Sequence, residues 1–195
     1  MLDVSATGDE PRMNTARLFA QLPNLISLAR LLMAPLAVNM ILSQRFVAAF
    51  AIFLVAGVSD GIDGYLAKRF RLTSELGAHL DPLADKVLLD AIYVTLAAIS
   101  QLPTWLAILI VSRDLLILGA VAVSWRLGKP IAIRPALLSK VNTAVQIAFA
   151  AFLLGSRAFG FEAPLAQDVF GGLAAASTLV SGAVYIGQWL DHMGH

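Results

Sequence analysis

Six apolar runs, each about as long as a bilayer is thick, constrain this chain more than any other feature. A helix rising 1.5 Å per residue needs about 20 mostly apolar residues to cross a hydrocarbon layer of roughly 30 Å. The runs cover approximately Pro23–Ser43, Phe46–Ala67, Leu76–Ser100, Pro103–Leu127, Ala136–Ser156 and Leu165–Leu190. Pro23 and Pro103 stand at helix starts, where a missing N–H costs little. Gly128-Lys129-Pro130 and Gly160 punctuate connections. With 58% hydrophobic and 14% charged residues in 195, and a mean hydropathy of +0.78, a water-surrounded domain of this size cannot hide its apolar surface. The expected fold is therefore an all-α integral membrane protein forming one domain over residues 1–195. A polar lead and a short amphipathic interfacial helix, roughly Asn14–Gln21, occupy 1–21, and six transmembrane helices occupy 22–190.

The basic residues are distributed unevenly around these runs. Arg12, Arg17, Lys68, Arg69, Arg71, Arg126, Lys129, Arg134 and Lys140 fall at one end of the expected bundle, and Arg45 and Arg157 at the other. Nine against two places both termini and the connection after Lys68 in the cytoplasm. Asp3, Asp9 and Glu10 precede any apolar run, unlike the basic start of a signal peptide or the acid-poor start of a transit peptide, which points to a bacterial inner membrane. There is no cysteine, so disulfides, thiolate metal sites and cysteine nucleophiles are excluded.

Against this apolar background, residues 60–85 read DGIDGYLAKRFRLTSELGAHLDPLAD. Asp60, Asp63 and Ala67 share one helix face at i, i+3, i+7, and Gly77, Asp81 and Asp85 share another at i, i+4, i+8. A short connection between antiparallel helices lets the two faces meet. Asp81-Pro82 also suits a helix cap, and Lys68, Arg69 or Lys86 suit ion pairs, but four converging carboxylates repel unless a cation lies between them. Oxygen donors with neither cysteine nor a histidine pair suit Mg²⁺ or Mn²⁺, and Mg²⁺ on carboxylates usually shares its coordination with phosphates. Gly64, Ala67 and Gly77 permit close approach of a backbone or a flat nucleobase.

The spacing Asp60-x2-Asp63-Gly64-x2-Ala67-Lys68-x8-Gly77-x3-Asp81-x3-Asp85 resembles the signature of the CDP-alcohol phosphotransferase family, with Lys68 where arginine is usual. The resemblance implies transfer of a substituted phosphoryl group from a CDP-linked donor to an alcohol, with release of CMP. It implies two divalent ions on Asp60, Asp63, Asp81 and Asp85, and a general base at Asp85. Gly64, Ala67, Lys68 and Gly77 belong to the donor side, as do Asn24 and Ser27 from the block Pro23–Arg30. A homodimer is also implied.

Three polar stretches bear on the acceptor. Arg30, inside the first run, needs an anion, and a substrate phosphate or Asp60 would serve. Arg113 and Asp114 point about 100° apart on a helix and need not pair, so Arg113 is a candidate ligand of an acceptor phosphate. Lys140 and Arg134 are further candidates. Ser139, Asn142, Thr143 and Gln146 form a polar stripe, with interhelical bonding expected for Thr143 and Gln146 and less so for Lys140 and Asn142. Lys86 suits the neutralisation of the carboxylates, and Asp90 needs a cation the sequence does not name. Together, Ser112-Arg113-Asp114 and Ser139-Lys140-x-Asn142-Thr143-x-x-Gln146 resemble the mitochondrial-type cardiolipin synthases of that family. This implies CDP-diacylglycerol and phosphatidylglycerol as lipid partners, with no nucleic acid. Phosphatidylglycerophosphate synthesis from glycerol 3-phosphate is the neighbouring alternative. A divalent-cation transporter is the alternative outside the enzymes, although the acids gather at one rim rather than along a path through the membrane.

Overall fold

The computed structural model describes residues 28–70, 75–126 and 137–194, giving the helical backbone alone for 62–70, 75–85, 122, 125 and 192–194. Each apolar run forms a helix: α1 (Leu28–Leu42), α2 (Phe46–Phe70), α3 (Glu75–Ala98), α4 (Thr104–Arg126), α5 (Leu137–Phe159) and α6 (Pro164–Gly194). No strand occurs among the described residues. The expected interfacial helix, Asn24, Ser27 and Arg134 lie outside the described residues. By length and apolarity α4, α5 and α6 can each cross a membrane. The apolar described parts of the first two helices, Leu28–Leu42 and Phe46–Gly61, are shorter, and Asp81, Asp85, Lys86 and Asp90 interrupt α3.

Short connections make successive helices alternate in direction. α5 packs between α6 and α2 and also touches α3, while α4 joins α3 to α6. The central place of α5 follows from its sequence. Asn142, Gln146, Phe149, Ala150, Leu153, Leu154, Gly155 and Ser156 are its buried residues, a single stripe at helical spacing. Phe149 lies 6.1 Å from Tyr93 and 6.5 Å from Phe170, centre to centre, so aromatic contacts link α3, α5 and α6. Gly171 and Gly155 face aromatic rings across the helix interfaces, where a Cβ would come 3.5 Å from the Phe149 ring and 3.6 Å from Phe50, ordinary contact distances. The outer surface is apolar, with Ile108, Leu115, Val169 and Leu179 all exposed, as lipid solvation requires.

The helix ends at the rim far from the aspartates share one device. At the end of α1, Arg45 N–H donates to the Met40 carbonyl (2.8 Å) and Gln44 N–H to the Ile41 carbonyl (3.0 Å). Gln101 and Ser100 repeat this at the end of α3, donating to Leu96 (2.8 Å) and Ala97 (3.0 Å). Phe161 N–H reaches the Ser156 carbonyl at the end of α5. Each pattern needs one left-handed residue, and φ is 58° at Gln44, 60° at Ser100 and 67° at Gly160. Only the third is the glycine that the motif favours. A side chain in this region costs about 1–2 kcal/mol. Ser100→Gly and Gln44→Gly are therefore each expected to stabilise the fold by roughly 0.5–1 kcal/mol, read as a raised unfolding temperature in detergent. A lowered temperature for both would remove this account of the turns.

Candidate active site

A cleft of about 390 Å³ opens between α1, α2, α3 and α5. Phe53, Ala56 and Gly57 of α2, Leu88 and Leu89 of α3 and Ile147 of α5 form its apolar wall, and its polar groups are Arg30, Asp60, Lys86 and Thr143. On α2 the cleft residues recur at helical spacing, and the register carries the same face on to Asp63, Gly64 and Ala67. On α3 the register runs back from Leu88 through Asp85 and Asp81 to Gly77. The cleft thus ends where the two aspartate-bearing stretches begin. The side chains of Asp63, Asp81, Asp85 and Lys68 lie outside the described residues, so their convergence does too. Among the described residues no group of three or more histidine or acidic side chains forms a metal site.

Asp60 is 46% exposed, and its Oδ1 lies 3.0 Å from Nη1 of Arg30, which is only 3% exposed. Of the two anions proposed for Arg30 by its sequence context, the structure supplies Asp60. The pairing fixes α1 to α2 at the edge of the cleft.

Behind the cleft lies an ionic network through four helices. Asp114 is 3% exposed and holds two cations, with Arg113 Nη1 at 2.7 Å from Oδ1 and Lys86 Nζ at 2.6 Å from Oδ2. Arg113 Nη2 donates to Ser139 Oγ on α5 (2.9 Å) and to Ser181 Oγ on α6. Gly182 of α6 lies against this side chain, with the position of a Cβ 3.6 Å from Arg113 Cγ. Arg113 is nine residues into α4, roughly 14 Å from the far rim, so the network sits at mid-depth. Removing one partner from such a buried set leaves an uncompensated charge, which costs about 3–5 kcal/mol.

A second, neutral network binds α5 to α6. Ser177 and Thr178 hydroxyls donate to Asn142 Oδ1 (2.8 and 3.0 Å), and Gln146 Nε2 donates to Thr178 Oγ1 (3.2 Å). Tyr93 of α3 donates to the Gln146 carbonyl (2.7 Å), and Trp189 Nε1 of α6 donates to Ser124 Oγ of α4 (3.1 Å).

These contacts correct parts of the sequence reading. Arg113 and Asp114 do pair, because the long guanidinium arm folds back across the 100° between them. Asn142 is an interhelical bonding residue like Gln146, whereas Thr143 donates within its own helix to Ser139 (3.1 Å) and lines the cleft. Among the described residues the partner of Lys86 is Asp114, while its relation to Asp63, Asp81 and Asp85 lies outside them. Lys140 is exposed on α5. The α6 partners Ser177, Thr178 and Ser181 carried no expectation, although their i, i+1, i+4 spacing on an apolar helix was a readable polar stripe.

The sequence family described as CDP-alcohol phosphatidyltransferase matches residues 20–184, which include the cleft, the ionic network, the Asn142–Thr178 cluster and the aspartate signature. The chain belongs to that family. Among its relatives is a cardiolipin synthase (CMP-forming) / mitochondrial hydrolase fusion protein of Schizosaccharomyces pombe, 35% identical over 84% of this chain and 30% of the relative. A cardiolipin synthase (CMP-forming) of Rattus norvegicus is 33% identical over 84% of this chain and 60% of its own length. The chain thus spans well under two thirds of either relative. A CDP-diacylglycerol–glycerol-3-phosphate 3-phosphatidyltransferase of Bacillus subtilis is 31% identical over 86% of this CDP-alcohol phosphatidyltransferase and 94% of its own length.

Proposed function

We propose that this protein transfers the phosphatidyl group of CDP-diacylglycerol to a hydroxyl of phosphatidylglycerol, giving cardiolipin and CMP. The observation that carries this reading is the continuity of the Asp60–Asp85 signature, through helical register on α2 and α3, with a cleft that is polar at Arg30, Asp60 and Lys86 and apolar beyond. A substrate with a charged head and acyl chains needs both halves. Asp60, Asp63, Asp81 and Asp85 are the residues to hold two Mg²⁺ or Mn²⁺ ions, and Asp60 fits as a half-exposed hard oxygen donor at the cleft. Bound there, the ions supply neutralisation of the donor diphosphate and of the leaving CMP.

The chain's own residues do the rest. Gly64, Ala67 and Gly77 admit the nucleotide, and Lys68, Asn24 and Ser27 complete the donor side. Asp85 accepts the proton of the acceptor hydroxyl. The hydroxyl oxygen bonds to the phosphatidyl phosphorus as the phosphorus–oxygen bond to CMP breaks. Arg30, Arg113, Lys140 and Arg134 set a positive potential on the acceptor side, Arg113 from within the bundle. In this reading all six helices cross a bacterial inner membrane. Termini and site face the cytoplasm, where nine basic residues outnumber two on the opposite side, and two copies pair as a homodimer.

The Bacillus subtilis relative, matched over 94% of its length, favours a second reading with glycerol 3-phosphate as acceptor. Purified protein given CDP-diacylglycerol, Mn²⁺ and each acceptor separately decides between them. CMP release is expected with phosphatidylglycerol and not with glycerol 3-phosphate, and the reverse pattern establishes the second reading. Asp85→Asn is expected to lower CMP release by about 10²–10⁴-fold while Mn²⁺ and donor still bind, checked by direct binding measurements. Near-normal turnover in that variant would remove Asp85 as the base.

A further inference from the structure

Of the cations that the sequence nominates for the acceptor, Arg134 lies outside the described residues and the other three are less well placed to touch it than Lys86. Arg113 is 5% exposed, gives Nη1 to Asp114 and Nη2 to two serines, and is absent from the cleft wall. Arg30 is 3% exposed and holds Asp60. Lys140 is exposed on α5 one turn before Thr143 and does not line the described cleft. Lys86 combines what none of the three has together: it lines the cleft, as Arg30 also does, but is 25% exposed, and its ammonium gives one contact to Asp114 Oδ2 at 2.6 Å.

We propose that Lys86 is the phosphate-binding group of the cleft and that Asp114 is the residue positioning it. An ammonium has three donors, and one contact to Asp114 leaves the others for a ligand on the cleft side. Asp114 also shares its charge with Arg113, so one carboxylate serves two cations. Asp90 lies one turn further along α3, within electrostatic reach of both cations though joined to neither by an ion pair among the described residues. Asp114 and Asp90 together balance the two cations, and the part-exposed Lys86 ammonium remains a cationic donor on the cleft side. Asp114, itself anchored through Arg113 to α5 and α6, fixes where that ammonium stands. The ligand is the phosphate of the acceptor, a phosphodiester in phosphatidylglycerol or a phosphomonoester in glycerol 3-phosphate. This inference rests on the reading of the cleft as the acceptor site.

The test uses the full chain in mixed micelles with CDP-diacylglycerol and Mn²⁺, varying donor and each acceptor in turn. Lys86→Gln is expected to raise the acceptor KM about tenfold or more, the loss from one charged hydrogen bond, while the donor KM changes by less than about twofold. Lys86→Arg restores most of the acceptor KM. Asp114→Asn raises it too, and adding Asp114→Asn to Lys86→Gln raises it no further. Without donor, acceptor raises the unfolding temperature of the native protein and not that of Lys86→Gln. An acceptor KM unchanged in Lys86→Gln, or a donor KM raised equally, overturns the proposal. If Lys86→Gln does not fold, Asp114→Glu moves the ammonium without removing it, and an unchanged acceptor KM there overturns the proposal as well. The same Lys86 effect measured on glycerol 3-phosphate alone sinks the choice of acceptor and leaves Lys86 in its role.

Discussion

One carboxylate between two cations organises this bundle. Asp114 gives Oδ1 to Arg113 and Oδ2 to Lys86, and Arg113 extends to Ser139 and Ser181, so charge complementarity at mid-depth sets how α3, α4, α5 and α6 meet. Apolar contact alone does this poorly in a bilayer, because lipid chains compete on equal terms with side chains for helix surfaces. Polar and small groups supply the specificity. The Asn142–Ser177–Thr178–Gln146 cluster fixes α5 against α6, and Gly171, Gly155 and Gly182 lie against Phe149, Phe50 and Arg113.

The cleft depends on that arrangement. Lys86 belongs both to the network and to the cleft wall, so the residue that ties α3 to α4 also sets the cleft's charge. On the opposite wall Arg30 holds Asp60, the first of the signature aspartates. On the reading proposed above, nucleotide and metal need an aqueous, charged place beside an apolar place for acyl chains, and α2 and α3 run from one to the other, with Phe53 to Gly57 leading to Asp60 on one helix and Leu88 leading back by register to Asp85 and Asp81 on the other.

All six helices were legible in the sequence, because apolar runs of bilayer length leave few other folds, and Gly160 marked its turn openly. The turns at Gln44 and Ser100 were not legible, since neither residue advertises a positive φ. Helical periodicity assigned the signature aspartates to faces of α2 and α3, and the meeting of those faces lies outside the described side chains. The destinations of long side chains were not legible. Arg113 and Asp114 are adjacent in sequence, and whether a guanidinium turns toward its neighbour depends on Ser139 and Ser181 from two other helices. Lys86 stood next to Asp85, which suggested the signature carboxylates, and its contact with Asp114 emerges only from the packing of α3 on α4.

The dependence of the bundle on this ionic junction is most directly measured by a double-mutant cycle on Lys86 and Asp114. Unfolding free energies of the native protein, Lys86→Met, Asp114→Leu and the double variant are to be obtained by denaturation in detergent. The account predicts that the double variant loses less than the sum of the two single losses, with a coupling of about 1–3 kcal/mol. Losses that add to within about 0.5 kcal/mol would contradict it.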